Sequence, residues 1–289
     1  MARNALLGDI AAGRGGAGWT LGHDGTVSIH DGEALRQRCI EAVVEEGERF
    51  GVLAQALAAG LAPASGGLEV RVPWVPEWNA ADLVGHVGTV HRWATAIVRA
   101  GHAEPPGPDT RQSPPDDAAP HFAALLDWYG TGLVELVATL RTTPPDSPAW
   151  HMSPVAEKVA GSWARRQAHE LAVHRMDLET AAGVPCTPLD PALAEDGVDE
   201  LLTIVVPRWA HTEPLISAVA NTAVTATDTG RTWSVAVTRG QVTVTPDRSG
   251  TEDARLQGTA GQLLLHLWGR PADVDVDGDR AAQQILRGR

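Results

Sequence analysis

Apolar residues recur at helical spacing through four long segments between residues 33 and 182, after which the period shortens to two. A chain patterned in this way is constrained to a helix bundle followed by a unit that contains strands. The first segment runs from Glu33 to Leu61, with Leu35, Cys39, Val43, Phe50, Leu53 and Leu57 near one face. The second opens at Asn79, a good N-cap with Asp82 in the first turn, and stops at Gly101. The third covers about Ala118 to Leu140, and the fourth about Val155 to Ala182, closed by Gly183 and Pro185. Proline-rich loops separate them, and four long helices joined in this way read as a bundle. Beyond Cys186, Asp190 and Pro191 form an N-cap and N1 pair for a helix through Val205. The runs NTAVTATD, TWSVAVT and QVTVTP alternate as strands do, and the last two flank Arg239-Gly240, a hairpin turn. A short helix capped by Thr259, a strand DVDVD and a terminal helix from Asp279 complete a small α+β unit. The expected fold class is therefore α+β: a Gly-rich leader over residues 1–30, a four-helix bundle over 31–185, and an α+β domain over 186–289.

Composition removes several classes of function. The 289 residues suit two domains or one large one. Lys and Arg total 23 against 36 Asp and Glu, a net charge of −13, and nucleic-acid binding needs the opposite balance. No apolar run approaches the ~20 residues of a membrane span, and the start lacks the apolar stretch of a secretory signal. Cys39 and Cys186 fit no metal or CxxC spacing and read as reduced thiols of a cytoplasmic protein. The run GRGGAG, Gly13 to Gly18, formally matches GxGxxG, but no strand precedes it and no helix follows, so it reads as part of a flexible leader. Neither a GxSxG elbow nor a P-loop is present.

The fourth segment carries the chemistry. At 100° per residue, Val159, Trp163, Arg166, Glu170, His174 and Asp177 fall on one stripe. Val159 and Trp163 turn that stripe toward the bundle, yet the other four members are ionisable. A buried carboxylate beside a histidine is costly unless it is paired or bound to a metal. Glu170 and His174, four apart, reach one point in the bundle interior. On the second segment His86 shares a face with Leu83, Val87, Val90 and Ile97, so it also points inward. Two histidines and one carboxylate make a three-ligand site with an open position. His91 flanks that face as a reserve ligand, whereas His169 lies about 140° from His174 and cannot easily share a metal with it. The same residues also suit a purely structural network, because Arg166–Glu170 and Asp82–His86 are i,i+4 pairs. The acidic DVDVDGD, with Asp273, Asp275, Asp277 and Gly278, starts like an EF-hand loop. Its twelfth position would be Gln284 in place of Glu, and its alternation is that of a strand.

Three segments, WNAADLVGHVGTVHRWA, SWARRQAHELAVHRMDLE and LLLHLWGRPADVDVDGD, together resemble the mycothiol-dependent maleylpyruvate isomerase family over roughly residues 33–289. The resemblance implies a DinB-like metal-binding bundle followed by a sterol-carrier-like α+β domain. It implies a divalent metal, usually zinc, held by His86, Glu170 and His174, the trio also reached from the helical wheel. It further implies mycothiol as cosubstrate and a small electrophile as substrate, with no nucleic-acid or membrane partner. Expected chemistry is addition of a thiolate to an electrophilic carbon, giving isomerisation or a thiol conjugate. Arg166 and Arg270 are candidates to hold a substrate carboxylate or the thiol, with bundle and interdomain ion pairs as their alternative role. Asp177 is a candidate to orient His174, and Trp163 to wall the cavity or simply pack the core. The near absence of lysine, with Lys158 alone, fits a GC-rich actinobacterial source, where mycothiol is the usual small thiol. Two rivals stand beside this reading: a non-catalytic metal- and ligand-binding protein, and a thiol-independent metalloenzyme of secondary metabolism.

Overall fold

The computed structural model describes residues 29–114, 122–210, 215–246 and 250–288. The Gly-rich leader with its GRGGAG run lies outside the described residues, except that Ile29 and His30 already belong to the first helix. Four helices form the first unit: α1 (Ile29–Ala58), α2 (Ala80–Ala100), α3 (Phe122–Thr142) and α4 (Ala160–Ala182). Among the described residues no helix is long and apolar enough to cross a membrane.

The α2 helix begins and ends where its caps dictate. Asn79 Oδ1 accepts from the Asp82 amide at 2.8 Å, and Asp82 Oδ2 accepts from the Asn79 amide at 2.9 Å. Gly101 takes the left-handed conformation that closes it. Close approach of α3 depends on Gly88, where a Cβ would come within 2.8 Å of the Trp128 ring. Tyr129 of α3 donates its hydroxyl to Gly47 O of α1 at 2.7 Å, joining a third helix to this contact.

The α4 helix starts later than its apolar pattern suggests. Residues 158–160 pair with 147–149 instead: the Ala149 amide donates to Lys158 O and the Ala160 amide to Ser147 O. That leaves Val159 extended, as the N-cap, and removes it from the helical stripe. The stripe proper begins at Trp163. At α3 the start expected near Ala118 falls among residues 115–121, outside the described ones, and the helix ends at Thr142 rather than Leu140.

In the second unit Asp190 caps α5 (Pro191–Glu200), accepting from the amides of Ala192 and Leu193. The single helix expected through Val205 is instead interrupted by a π-turn, Leu201–Val205, and resumes as α6 (Val206–Ala210). Pro207 supplies the reason: it has no amide to donate and crowds the carbonyl one turn earlier, so the ladder widens before it. A five-stranded sheet follows, in the order β3-β2-β1-β4-β5. Its strands are β1 (Val219–Ala226), β2 (Thr232–Thr238), β3 (Gln241–Pro246), β4 (Ala254–Gly258) and β5 (Asp275–Gly278). The β2–β3 hairpin turns at Arg239 and Gly240, both at positive φ, as a two-residue turn of matching twist requires. Among the described residues only the β1–β4 pair is parallel. Helices α7 (Ala260–Leu267) and α8 (Arg280–Ile285) pack on the sheet, burying Leu263, Leu264, Leu267, Ala282 and Ile285. The DVDVDGD segment lies along the sheet edge as β5, with Asp275 and Asp277 exposed. Bundle and sheet units together make an α+β protein, as the periodicity implies.

Candidate metal centre

Helices α2 and α4 run antiparallel and face one another. His86, in the second turn of α2, meets the middle of α4. Its Nε2 lies 3.1 Å from Glu170 Oε1, and His174 Nε2 lies 3.3 Å from the same oxygen. One ligand atom from each of the three residues falls within 4.8 Å of the others. Their side chains are 30%, 19% and 12% exposed in the order His86, Glu170, His174, so the cluster opens on the His86 side. Trp78, in the loop before α2, packs its ring 4.7 Å from the His86 ring and walls that opening.

Each donor is held by a further group. The His174 Nδ1 donates to Asp177 Oδ2 at 2.9 Å, which leaves Nε2 directed at Glu170. Asp177 is itself fully buried and is clamped by Arg270, with Nε at 3.0 Å from Oδ1 and a terminal nitrogen at 2.5 Å from Oδ2. Arg270 follows α7, so the second unit reaches the centre through this carboxylate. Arg166 donates to Glu170 Oε2 at 2.8 Å and also pairs with Glu200 of α5, its guanidinium 5.4 Å from the Trp268 ring. Oε2 is thereby engaged and Oε1 is left for the histidines. Arg166 and Arg270 thus make the bundle and interdomain ion pairs considered above as their alternative role.

These contacts set the protonation of the centre. Burial raises the Glu170 carboxyl, but hydrogen bonds from His174 and His86 and the Arg166 charge outweigh it and hold it well below the ordinary carboxylate range. Burial likewise lowers His174, and the hydrogen bonds to Asp177 and Glu170, with their charges, reverse this and push it up to about 9. Imidazole–carboxylate hydrogen bonds of this kind are compatible with a metal site, where a divalent cation would exchange with those protons. Two imidazoles and one carboxylate, converging on one point with an open side, fit zinc or a neighbouring divalent metal. Zinc binding at pH 7 is therefore expected to release close to one proton from His174, and its apparent affinity to rise about tenfold per pH unit until about pH 9. Titration calorimetry in buffers of different ionisation enthalpy measures that proton, and a pH-independent affinity would contradict it.

Other residues singled out from the sequence lie elsewhere. His91 is fully buried against Tyr129, ring centroids 5.5 Å apart, and is not one of the converging donors. His169 pairs with Asp196 at 2.8 Å, away from His174. Trp163 donates Nε1 to Trp150 O at 2.7 Å and packs edge-on to Trp93, a core role. Sequence reasoning missed Trp78, Glu200 and Trp268. Trp78 and Trp268 stand inside two of the segments quoted above without a role being legible in them, and Glu200 carried no signal at all. A cavity of about 460 Å³ lined by Ala96, Ile97, Ala100 and Trp150 lies elsewhere, roughly 16 Å further along α2, and shares no residue with the centre.

The clamp on His174 has a measurable effect. Asp177→Asn or Arg270→Leu is expected to weaken zinc binding roughly 10–100-fold while the three donors stay in place. Competition against a chromophoric chelator reads this directly. Wild-type affinity in both variants would mean that neither residue acts on His174.

Comparison with known proteins agrees with this architecture. Residues 50–179 match the family model described as the mycothiol maleylpyruvate isomerase N-terminal domain, and residues 192–284 the model described as the MDMPI C-terminal domain. The crystal structure of the mycothiol-dependent maleylpyruvate isomerase superposes with a TM-score of 0.57 at 12% identity, covering 84% of this chain and 94% of that one. A histidine-to-alanine mutant of that enzyme gives the same values. No curated protein sequence matches significantly. At this identity the superposition speaks for the fold, but the two family models span most of the chain in the right order, and the chain belongs to the mycothiol maleylpyruvate isomerase family.

Proposed function

We propose that the protein is a metal-dependent enzyme that uses mycothiol, or a thiol like it, as an isomerase or S-transferase acting on a small electrophile. The observation that carries this reading is the partly open His86–Glu170–His174 cluster in a chain of this family. Zinc or a related metal held there would supply a Lewis acid that lowers the pKa of a coordinating thiol. The protein's own residues do the rest. Arg166 fixes the Glu170 carboxylate, Asp177 and Arg270 fix the His174 ring, and Trp78 packs against the His86 ring.

In the isomerase form, the thiol sulfur bonds to one carbon of a cis double bond. The carbon–carbon bond rotates, and the carbon–sulfur bond breaks to return the thiol. In the transferase form the carbon–sulfur bond stays and the displaced proton ends on the neighbouring carbon. Two free cysteines, Cys39 buried and Cys186 exposed, support a reducing cytoplasmic setting in which a small thiol is abundant. The gap between the two matched stretches, residues 180–191, supports a domain boundary near residue 185.

The test is turnover of an electrophile panel that includes maleylpyruvate, by the zinc-loaded protein, with and without mycothiol. Turnover that requires the thiol is expected. Turnover that survives complete thiol removal would favour the thiol-independent metalloenzyme. Zinc binding with no turnover of any member would favour a binding protein.

A further inference from the structure

Three of the most buried polar side chains of the bundle have no role in the centre just described. His91 on α2 is fully buried, and neither ring nitrogen has a hydrogen-bond partner. Gln167 on α4 is 1% exposed, and neither end of its amide has one. Thr95, one turn beyond His91, is 3% exposed with an unpartnered hydroxyl. Native interiors pair such groups, because each unpaired one carries its full desolvation cost.

The register of the helices brings His91 and Gln167 to one level. His86 against Glu170 and His174, and Trp93 against Trp163 with ring centroids 5.3 Å apart, run α2 and α4 antiparallel. His91 lies about 7.5 Å along α2 from His86, while Gln167 lies about 4.5 Å from Glu170 and about 10.5 Å from His174 along α4. Both therefore sit about one and a half helical turns beneath the centre. Tyr129, beside His91, donates its hydroxyl to Gly47 O and makes no hydrogen bond with the ring, whose two nitrogens stay unpartnered. Val87 and Ala94 of α2 and Ala164 and Ala168 of α4, within four positions of His91 and Gln167 in the chain, are all buried. The available groups are one imidazole with a donor and an acceptor, one amide with both, and one hydroxyl with both. None carries a charge, since burial holds His91 neutral. An occupant must be small, uncharged, and able to donate and accept at once.

We propose that His91 and Gln167, with Thr95 at the margin, bind ordered water between α2 and α4 directly beneath the metal centre. The water bridges the helix that carries His86 to the helix that carries Glu170 and His174, and so sets the spacing of the donors. This second part rests on the metal-centre reading; the water site does not.

Apolar near-isosteres test it. If the groups share water, Gln167→Met and His91→Leu each lower Tm, by roughly 2–8 °C on the scale of a one- to two-bond loss in a chain of this size. The double variant then loses less than the sum, because the partner is common. If the groups face a dry core, the same changes raise Tm, which would overturn the proposal. His91→Leu is the variant most at risk of misfolding, so the wild-type protein supplies the deciding measurement. A high-resolution crystal structure is expected to show solvent within hydrogen-bond distance of the Gln167 amide and the His91 ring. Direct contact between the two side chains, with no solvent between, would overturn it. Zinc affinity of Gln167→Met is expected to fall several-fold. An unchanged affinity beside a lowered Tm overturns the link to the centre alone. A wild-type chain that binds no zinc defeats the metal reading and leaves the Tm and crystallographic outcomes to decide the water site.

Discussion

His174→Ala is expected to leave the purified protein with almost no zinc, where the wild-type chain retains about one ion per molecule. His86 and Glu170 alone offer two donors, and a two-donor surface site does not survive dialysis against a chelator. The fold should persist, because the fully buried Asp177 keeps its bidentate partner Arg270 when the imidazole is removed. Circular dichroism and Tm separate loss of metal from loss of structure, and plasma mass spectrometry counts the ion. Thiol-dependent turnover should fall to background in the same variant. Equal zinc in variant and wild type would place the metal somewhere other than this triad and remove the main support for the catalytic reading.

Arg175→Met is expected to be the most destabilising single change in the bundle. Arg175 is fully buried and lies 2.5 Å from Glu46 of α1 and 2.6 Å from Glu179 one turn further along α4; it also donates to Thr187 O at 2.8 Å. Methionine fills much of the volume but leaves buried Glu179 without a cation and buried Glu46 with only the half-exposed Arg49, 3.8 Å away. Breaking a buried pair in this way costs about 3–5 kcal/mol. Against a total stability of about 5–15 kcal/mol this is a large share, and it corresponds to a Tm loss of roughly 6–20 °C. Adding Glu46→Gln and Glu179→Gln should restore part of the loss, since the stranded charge is its cause. A Tm within a degree of wild type would show that water reaches these carboxylates and the network is not dry.

The candidate cluster is legible in the sequence because each of its residues sits on a helix that local signals delimit. Glu170 and His174 are one helical turn apart, and the α2 helix that delivers His86 is bounded by caps that a short window of sequence spells out. The wheel needs no tertiary information to place such residues on one stripe. Most of the features that escaped depend on partners elsewhere in the chain. Arg175 meets Glu46 across 129 positions, and no periodicity encodes that meeting. Strand β4, ARLQG, is short and ends in glycine; it is a strand because β1 lies parallel beside it, with Thr222 opposite Ala254. The late start of α4 likewise reflects the 147–149 backbone rather than the propensity of residues 155–159. The π-turn before Pro207 had a local cause, but a lone proline in a helical pattern signals a break more readily than a widened turn.

The path from Arg270 through Asp177 to His174 also runs in the opposite direction. Coupling between two sites is reciprocal. Whatever draws the His174 ring onto a metal firms its hydrogen bond to Asp177, and with it the hold of that carboxylate on an arginine from the other half of the chain. An ion held in the bundle would thus be felt as adhesion along the seam between the two halves. The sheet unit contributes no donor to the cluster, yet the metal supply of the cell would become one of the forces that keep it attached.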